Sequence, residues 1–257
     1  MMASVTPNFY GDPLVKLKYL GTPNAPADIR GDATMNKLNF YVNGDYAQFK
    51  PLLTKLATKR ITVRAGERLQ DTNGRHFYYY IEDGLIMRSV LFKSGLEHGL
   101  LLCGHDTLTP VYRSEGTSPE STLSLVAIHE AHVLAITHDK IDDLVYNNRD
   151  FNHQLIISYQ KNIDYLIRKK ELLLTSTGLQ RLAYYLTCYL DEYEPKDNTV
   201  HVSQSLMGSL VVLNPVNTSR NMKKLRELGL ISTDRNGIKI LKRNKLRELG
   251  EIEEITI

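Results

Sequence analysis

The stretch NPVNTSRNMKKLRELGL, Asn214 to Leu230, decides how the C-terminal third of the chain is read. Asn214 is a favourable helix N-cap, and Pro215 suits the first helical position, where its missing N–H is not needed. Gly229 is placed to end the helix in the left-handed conformation. The spacing therefore predicts a helix from about Pro215 to Leu228. Met222, Leu225 and Leu228 share one face and are expected to bury. Val216 or Asn217, Ser219, Arg220, Lys223 and Lys224 lie on the other.

Working outward, Ser203 can cap a short helix from Gln204 to about Val211, and a three-residue turn joins it to the helix at 215. Two short helices so joined outline a helix-turn-helix. After Gly229, LIS and IKIL flank Thr233-Asp234-Arg235-Asn236 and Gly237. Asn-Gly between two β-capable runs is a hairpin signal, and a hairpin directly after the second helix makes a wing. From His201 to Arg247 there are ten Lys/Arg against two acids, Glu227 and Asp234. Such a local excess is the footprint that nucleic-acid phosphates select. The alternative is a generic α/β module with a solvated basic face. The cap, the turn, the basic face and the wing agree better with a DNA-binding module. Lys and Arg supply affinity by neutralising phosphates. Arg220 and Asn217 can pair with guanine and adenine edges from the first two turns of the helix.

Upstream, a helical pattern runs from about Asp150 to Leu173. Ile156, Tyr159, Ile163, Leu166, Lys170 and Leu173 alternate spacings of three and four, a heptad seam with one lysine in it. The expected role is dimerisation; the alternative is a helix packed only on its own domain. Further helices are expected at about Asp139–Tyr146 and Gly178–Tyr193. From about Lys59 to Ile136, short apolar and β-branched runs alternate with turn signals. ITV precedes RAGE, FYYYI precedes EDG, LIMRSVLF precedes KSG, and GLLL precedes CGHD; TLSLVAI and HVLAIT follow. This predicts a β-sandwich or small roll rather than a doubly wound sheet. Phe49, Leu52, Leu53 and Leu56 suggest a short helix around Pro51. Residues 1–35 show little periodicity and read as part of an irregular arm.

The chain has 257 residues, is 42% hydrophobic and 24% charged, and carries a net charge of +3, which fits a globular protein. No apolar run reaches membrane-spanning length. The N-terminus lacks signal-peptide features, so a cytoplasmic location without membrane contact is expected. Two cysteines, Cys103 and Cys188, cannot alone supply a four-thiolate site. Cys103-Gly104-His105 reads as a turn after a buried strand rather than a haem or metal site. His129-Glu130-Ala131-His132 lacks a residue of the HExxH motif and reads as a hairpin turn. The tyrosines at 78–80 suit strand packing. There is no glycine-rich phosphate loop and no Ser/His/Asp set, so no enzyme activity, metal or resident cofactor is expected.

The segment SLMGSLVVLNPVNTSRNMKKLRELGLI, Ser205 to Ile231, resembles the winged helix-turn-helix of the Crp/Fnr superfamily of bacterial transcription regulators. Ser219-Arg220 falls where that family commonly has Ser-Arg, and Gly229-Leu230-Ile231 where it enters the wing. RAGE at 64–67, YYYIEDGLI at 78–86 and the glycine spacing to CGHDTLTPVYR resemble its cyclic-nucleotide-binding-like β-roll. The resemblance covers about residues 45–247. It implies an α+β chain: an arm at 1–44, a cupin-like jelly-roll β-roll at 45–146, a dimerisation helix at 147–174, and a winged helix-turn-helix at 175–257. It implies a homodimeric, sequence-specific DNA-binding regulator that reads a palindromic operator on double-stranded DNA. Its β-roll would take an effector of unknown identity, and RNA polymerase is a candidate partner.

The implied DNA contacts are Ser203, Asn214, Val216, Asn217, Ser219, Arg220, Lys223, Lys224 and Arg235. The implied dimer contacts are Ile156, Tyr159, Ile163, Leu166 and Leu173. There are departures from the pattern. Val212 stands where the family usually has a turn glycine, and Pro215 and Val216 replace base-reading polar residues. Leu108-Thr109-Pro110 and Pro119-Glu120-Ser121-Thr122 lack the Glu and Arg that hold cyclic nucleotides, so cyclic AMP is not expected as effector. A rival of another class is a cyclic-nucleotide-, metal- or haem-binding sensor whose C-terminal module contacts protein instead of DNA.

Overall fold

In the computed structural model the described residues are 40–69, 77–95, 97–109, 121–193, 197–234 and 237–251. Residues 1–39 of the N-terminal arm, Arg235, Asn236 and most of the 108–122 region therefore lie outside them.

A β-sheet begins the described chain. Its strands are β1 (Tyr41–Val42), β2 (Lys59–Val63), β3 (Arg68–Leu69), β4 (Phe77–Phe92), β5 (Glu97–Cys103), β6 (Thr107–Thr109) and β7 (Ser121–Thr137). They run in the order β1-β5-β4-β7-β2, with β3 on β7 and β6 on β4. A short helix, α1 (Lys50–Leu56), has Pro51 in its first turn, as expected from the apolar spacing there.

The long antiparallel pair β4 and β7 forms the spine, from Phe77 opposite Thr137 to Phe92 opposite Ser121. Its tyrosine run is buried on both faces. Phe77, Tyr79 and Ile81 enter one core, and Tyr78 and Tyr80 the other. A strand covered on both sides reads as a continuous apolar run. α1, α2 (His138–Asn147) and the start of α3 (Arg149–Thr175) close the second core through Leu53, Ile141, Leu144 and Phe151.

Two expectations are corrected here. Glu82-Asp83-Gly84 is not a turn between strands, and His129-Glu130-Ala131-His132 is not a hairpin. Both lie within single long strands, opposite each other, where the β4–β7 register shifts between Ile81 and Ile86. These are bulges: polar residues face water while the ladder continues on either side. Gly84 has φ +89°, and a side chain there would collide with the Glu130 carbonyl. Asp83 Oδ1 accepts from the His132 N–H at 3.1 Å and contacts its ring Nδ1 at 2.7 Å.

Asn148 caps α3, accepting from the Phe151 N–H at 2.9 Å. Helix α3 carries two heptad stripes. Phe151, Leu155, Ser158, Tyr165, Lys169 and Leu172 are buried. The seam predicted for dimerisation faces outward: Ile156, Tyr159, Ile163 and Leu166 are exposed, Ile163 at 57%, while Leu173 is half-buried.

The C-terminal part comprises α4 (Gly178–Tyr193), β8 (Thr199–Val200), α5 (Gln204–Leu210), α6 (Pro215–Glu227), β9 (Ile231–Asp234), β10 (Gly237–Ile240) and α7 (Arg243–Gly250). β8, β10 and β9 form a three-stranded antiparallel sheet in that order. Met207, Leu210, Met222, Leu225, Ile231 and Ile238 build the core beneath it. The architecture is mixed α+β: an N-terminal β-sheet, connecting helices and a C-terminal helix-turn-helix with a wing.

Candidate nucleic-acid interface

The local chemistry that sets α5 and α6 is the chemistry expected from the sequence. Ser203 caps α5, its hydroxyl accepting from the Leu206 N–H at 3.2 Å. Asn214 caps α6, its Oδ1 accepting from the Asn217 N–H at 2.8 Å. Gly229 ends α6 with φ +63°, and the Leu230 N–H closes on the Leu225 carbonyl at 3.1 Å.

The turn between the helices is tight. Val212 adopts φ +55°, a left-handed conformation that a β-branched residue takes only at a cost. Arg181 of α4 pins this turn. Its Nε donates to the Val211 carbonyl at 2.9 Å and its Nη1 to the Ser176 carbonyl at 2.8 Å. Burial lowers the Arg181 pKa below its ordinary value. Sequence reading missed this residue, because nothing local marks a side chain that bonds thirty positions away.

Gly208 lets the two helices approach. A Cβ there would lie 3.2 Å from Thr218 Cβ and 3.1 Å from Thr218 Cγ2, and would collide with Thr218 Oγ1. A glycine in mid-helix costs about 1 kcal/mol against alanine, so Gly208 within so short a helix is the sequence signal of this contact. Thr218 Oγ1 donates to the Asn214 carbonyl at 2.9 Å, tying the close approach to the cap.

On α6, Thr218, Met222 and Leu225 point inward. Leu228 does not join them: it is 50% exposed, which corrects the expectation that it buries. It stands at the C-cap, where the chain turns into the left-handed Gly229, and the turn directs its side chain away from the core. The outward surface carries Val216 (66% exposed), Ser219, Arg220, Lys223 and Lys224, with Asn217 half-buried at its edge. Structure thus gathers six of the candidate DNA contacts on one surface of one helix. Ser203 and Asn214 stand at the two helix starts, with their side chains engaged in capping.

Lys223 Nζ lies 3.7 Å from the Glu227 carboxylate, both well exposed. A guanidinium, an amide, an ammonium pair and one exposed valine can offer hydrogen bonds to bases, charge to phosphates, and an apolar contact to a thymine methyl.

The weaker motifs take structural places. Cys103 is buried at the end of β5, and burial pushes its thiol up to about 11. His105 is in the exposed turn after it, with Nδ1 3.0 Å from Asp106. Among the described residues, no group of three or more His, Cys, Asp or Glu is arranged to hold a metal ion, and no helix is long and apolar enough to cross a membrane.

Residues 180–249 match the family model of the Crp-like helix-turn-helix domain. No curated protein matches the chain. Among solved structures, a protein from Eubacterium rectale assigned to the Crp/Fnr family aligns with a TM-score of 0.65 at 14% identity, over 80% of this chain and 99% of that one. CLP of Xanthomonas campestris, described as a c-di-GMP responsive global regulator, aligns with a TM-score of 0.64 at 15% identity, over 76% and 98%. FixK2 from Bradyrhizobium japonicum aligns at 0.59 and 15%, over 75% and 97%. At these identities the structural likeness establishes the fold. The chain carries a Crp-like helix-turn-helix domain on the fold of the Crp/Fnr transcription regulators.

Proposed function

We propose that the protein is a homodimeric, sequence-specific DNA-binding transcription regulator. The single observation that carries this reading is the outward face of α6. Arg220, Lys223 and Lys224 stand exposed on a helix whose opposite face is fixed by Thr218, Met222 and Leu225. Arg220 and Asn217 read base edges, Val216 meets a thymine methyl, and Lys223 and Lys224 neutralise phosphates. Ser203 and Asn214 approach the backbone at the two helix starts, and Arg235 remains a candidate phosphate contact by its sequence position between β9 and β10.

The exposed stripe Ile156, Tyr159, Ile163 and Leu166, with Leu173 at its end, supplies the dimer contact. Its heptad spacing matches a coiled-coil seam, and α3 satisfies its own core through the other stripe. Such a dimer presents two recognition helices to half-sites about one DNA turn apart. The expected domains are the roll at 45–146, the dimer helix at 147–174 and the DNA head at 175–257. An effector at the roll shifts the pair of heads by binding one arrangement better than the other. CLP, a structural neighbour described as responsive to c-di-GMP, lends support to a small-molecule effector here. RNA polymerase is the downstream partner of such a regulator, and the reading places the protein with the DNA in the cytoplasm.

Selection from a random duplex DNA pool tests this. Recovery of two-fold-related half-sites, bound with an affinity that falls steeply with salt, is the expected result. A protein that retains no DNA at low salt would overturn it and favour a head that contacts protein.

A further inference from the structure

Strand β5 contains one residue more than its partner β4 pairs with. Arg88 pairs with Leu101 and Ser89 with Gly99, so Leu100 is the extra residue of a bulge. Among the described residues, the next strand, β1, pairs with β5 at Leu102 and Cys103. At Gly99 and Leu100 two helices bond to β5. From α3, Lys169 Nζ donates to the Gly99 carbonyl at 2.6 Å and to the Leu100 carbonyl at 3.0 Å. Tyr165 donates its hydroxyl to the same Leu100 carbonyl. From α5, the first helix of the helix-turn-helix, Ser209 Oγ accepts the Gly99 N–H at 2.6 Å.

The close approach needs glycine. A Cβ at Gly99 would lie 2.8 Å from Leu210 Cδ2. Lys169 is only 7% exposed, and a buried ammonium is retained only where its donors are satisfied.

We propose that Lys169, Gly99 and Ser209 form one positioning relay that sets the helix-turn-helix on the roll and transmits displacements of α3 to α5. One residue, Gly99, is held at its carbonyl by α3 and at its N–H by α5. A shift or rotation of α3 moves Lys169, which moves Gly99, which moves Ser209. These are positioning residues; none lies on the outward face of α6. The consequence for DNA rests on the function proposed above, whereas the mechanical linkage does not.

The test uses the full chain in a Cys188→Ser background. Dyes are placed at Lys93→Cys on the roll and Lys239→Cys on the wing, both exposed, and the protein is diluted into excess unlabelled protein so that only distances within one chain are read. Ser209→Ala and Lys169→Met should each broaden the single dye–dye distance distribution, and the double variant should broaden it no further. An unchanged distribution in Ser209→Ala overturns the relay even if Lys169→Met folds poorly. Independent, additive broadening overturns it too, because it describes two separate struts.

The second readout is selection from random duplex DNA. Ser209→Ala should recover the wild-type half-site but lose the single preferred spacing between half-sites. Retained spacing in a variant with broadened distances overturns the positioning role. If the wild type binds no DNA, the function proposed above fails, and the distance measurement still decides the linkage.

Discussion

Gly208 on α5 faces Thr218 on α6, with no room for a Cβ between them. This contact fixes the spacing of the two helices. Gly208→Ala should therefore destabilise the protein by about 1–3 kcal/mol despite alanine's higher helix propensity. Thr218→Ala in the same chain should recover part of the loss. A chemical-denaturation double-mutant cycle checks this: a favourable coupling energy is expected, and simple additivity would show that the contact does not govern the spacing.

Val212 spends its φ of +55° at a position where glycine would be relaxed. Val212→Gly should stabilise the protein by roughly 0.5–1 kcal/mol through relief of backbone strain, offset in part by lost packing of a half-buried side chain. Thermal unfolding at matched concentration reads the sign. A clear loss of stability would mean that the valine side chain matters more than the backbone conformation.

Burial pushes the Lys169 ammonium down to about 8 from 10.5. In the unfolded chain the amine keeps its proton to higher pH, so between pH 8 and 10.5 the unfolded state binds more protons than the folded one. The burial penalty is thus complete below pH 8, and stability rises as pH climbs through that window. The gain attributable to Lys169 across the whole window is on the order of 3 kcal/mol. His98, adjacent to the bonded peptide and itself lowered by burial and by Lys169, titrates below the window. Denaturation midpoints of the wild type and Lys169→Met from pH 7.5 to 10 should diverge in slope. Parallel curves would contradict the assignment.

Glu227 stands at the end of the outward face of α6, 3.7 Å from Lys223. An exposed pair of this kind contributes roughly 0–1 kcal/mol. Glu227→Gln should leave stability nearly unchanged and free Lys223 for phosphate. DNA affinity at low salt should rise by about two- to fivefold, with a steeper salt dependence. Weaker binding would place Glu227 in a direct base contact.

Much of the helix-turn-helix was legible because its signals are local. Asn214, Ser203 and Gly229 act on backbone groups within a few residues, so sequence order alone reveals them. The strands were less legible at Glu82-Asp83-Gly84 and His129-Glu130. Turn and bulge share residue types, and only the partner strand decides between them. Leu228 followed the helical period until the chain turned, which periodicity cannot see. The helix at 149–175 showed one heptad stripe clearly. The second was masked because Ser158 and Lys169 sit in it, and their partners lie elsewhere in the chain. The Lys169–Gly99–Ser209 contacts were invisible for the same reason.

The central claim is that the outward face of α6 reads DNA, with Arg220 as its main base contact. The direct measurement is an anisotropy titration of wild type and Arg220→Ala against the duplex recovered by selection and against an unrelated duplex of equal length. One good bidentate contact is worth about 1–3 kcal/mol. Arg220→Ala should therefore lose about five- to 150-fold in affinity for the selected duplex, keep most of its affinity for the unrelated one, and remain the same size by sedimentation. Equal affinity of the two proteins for the selected duplex would contradict the claim.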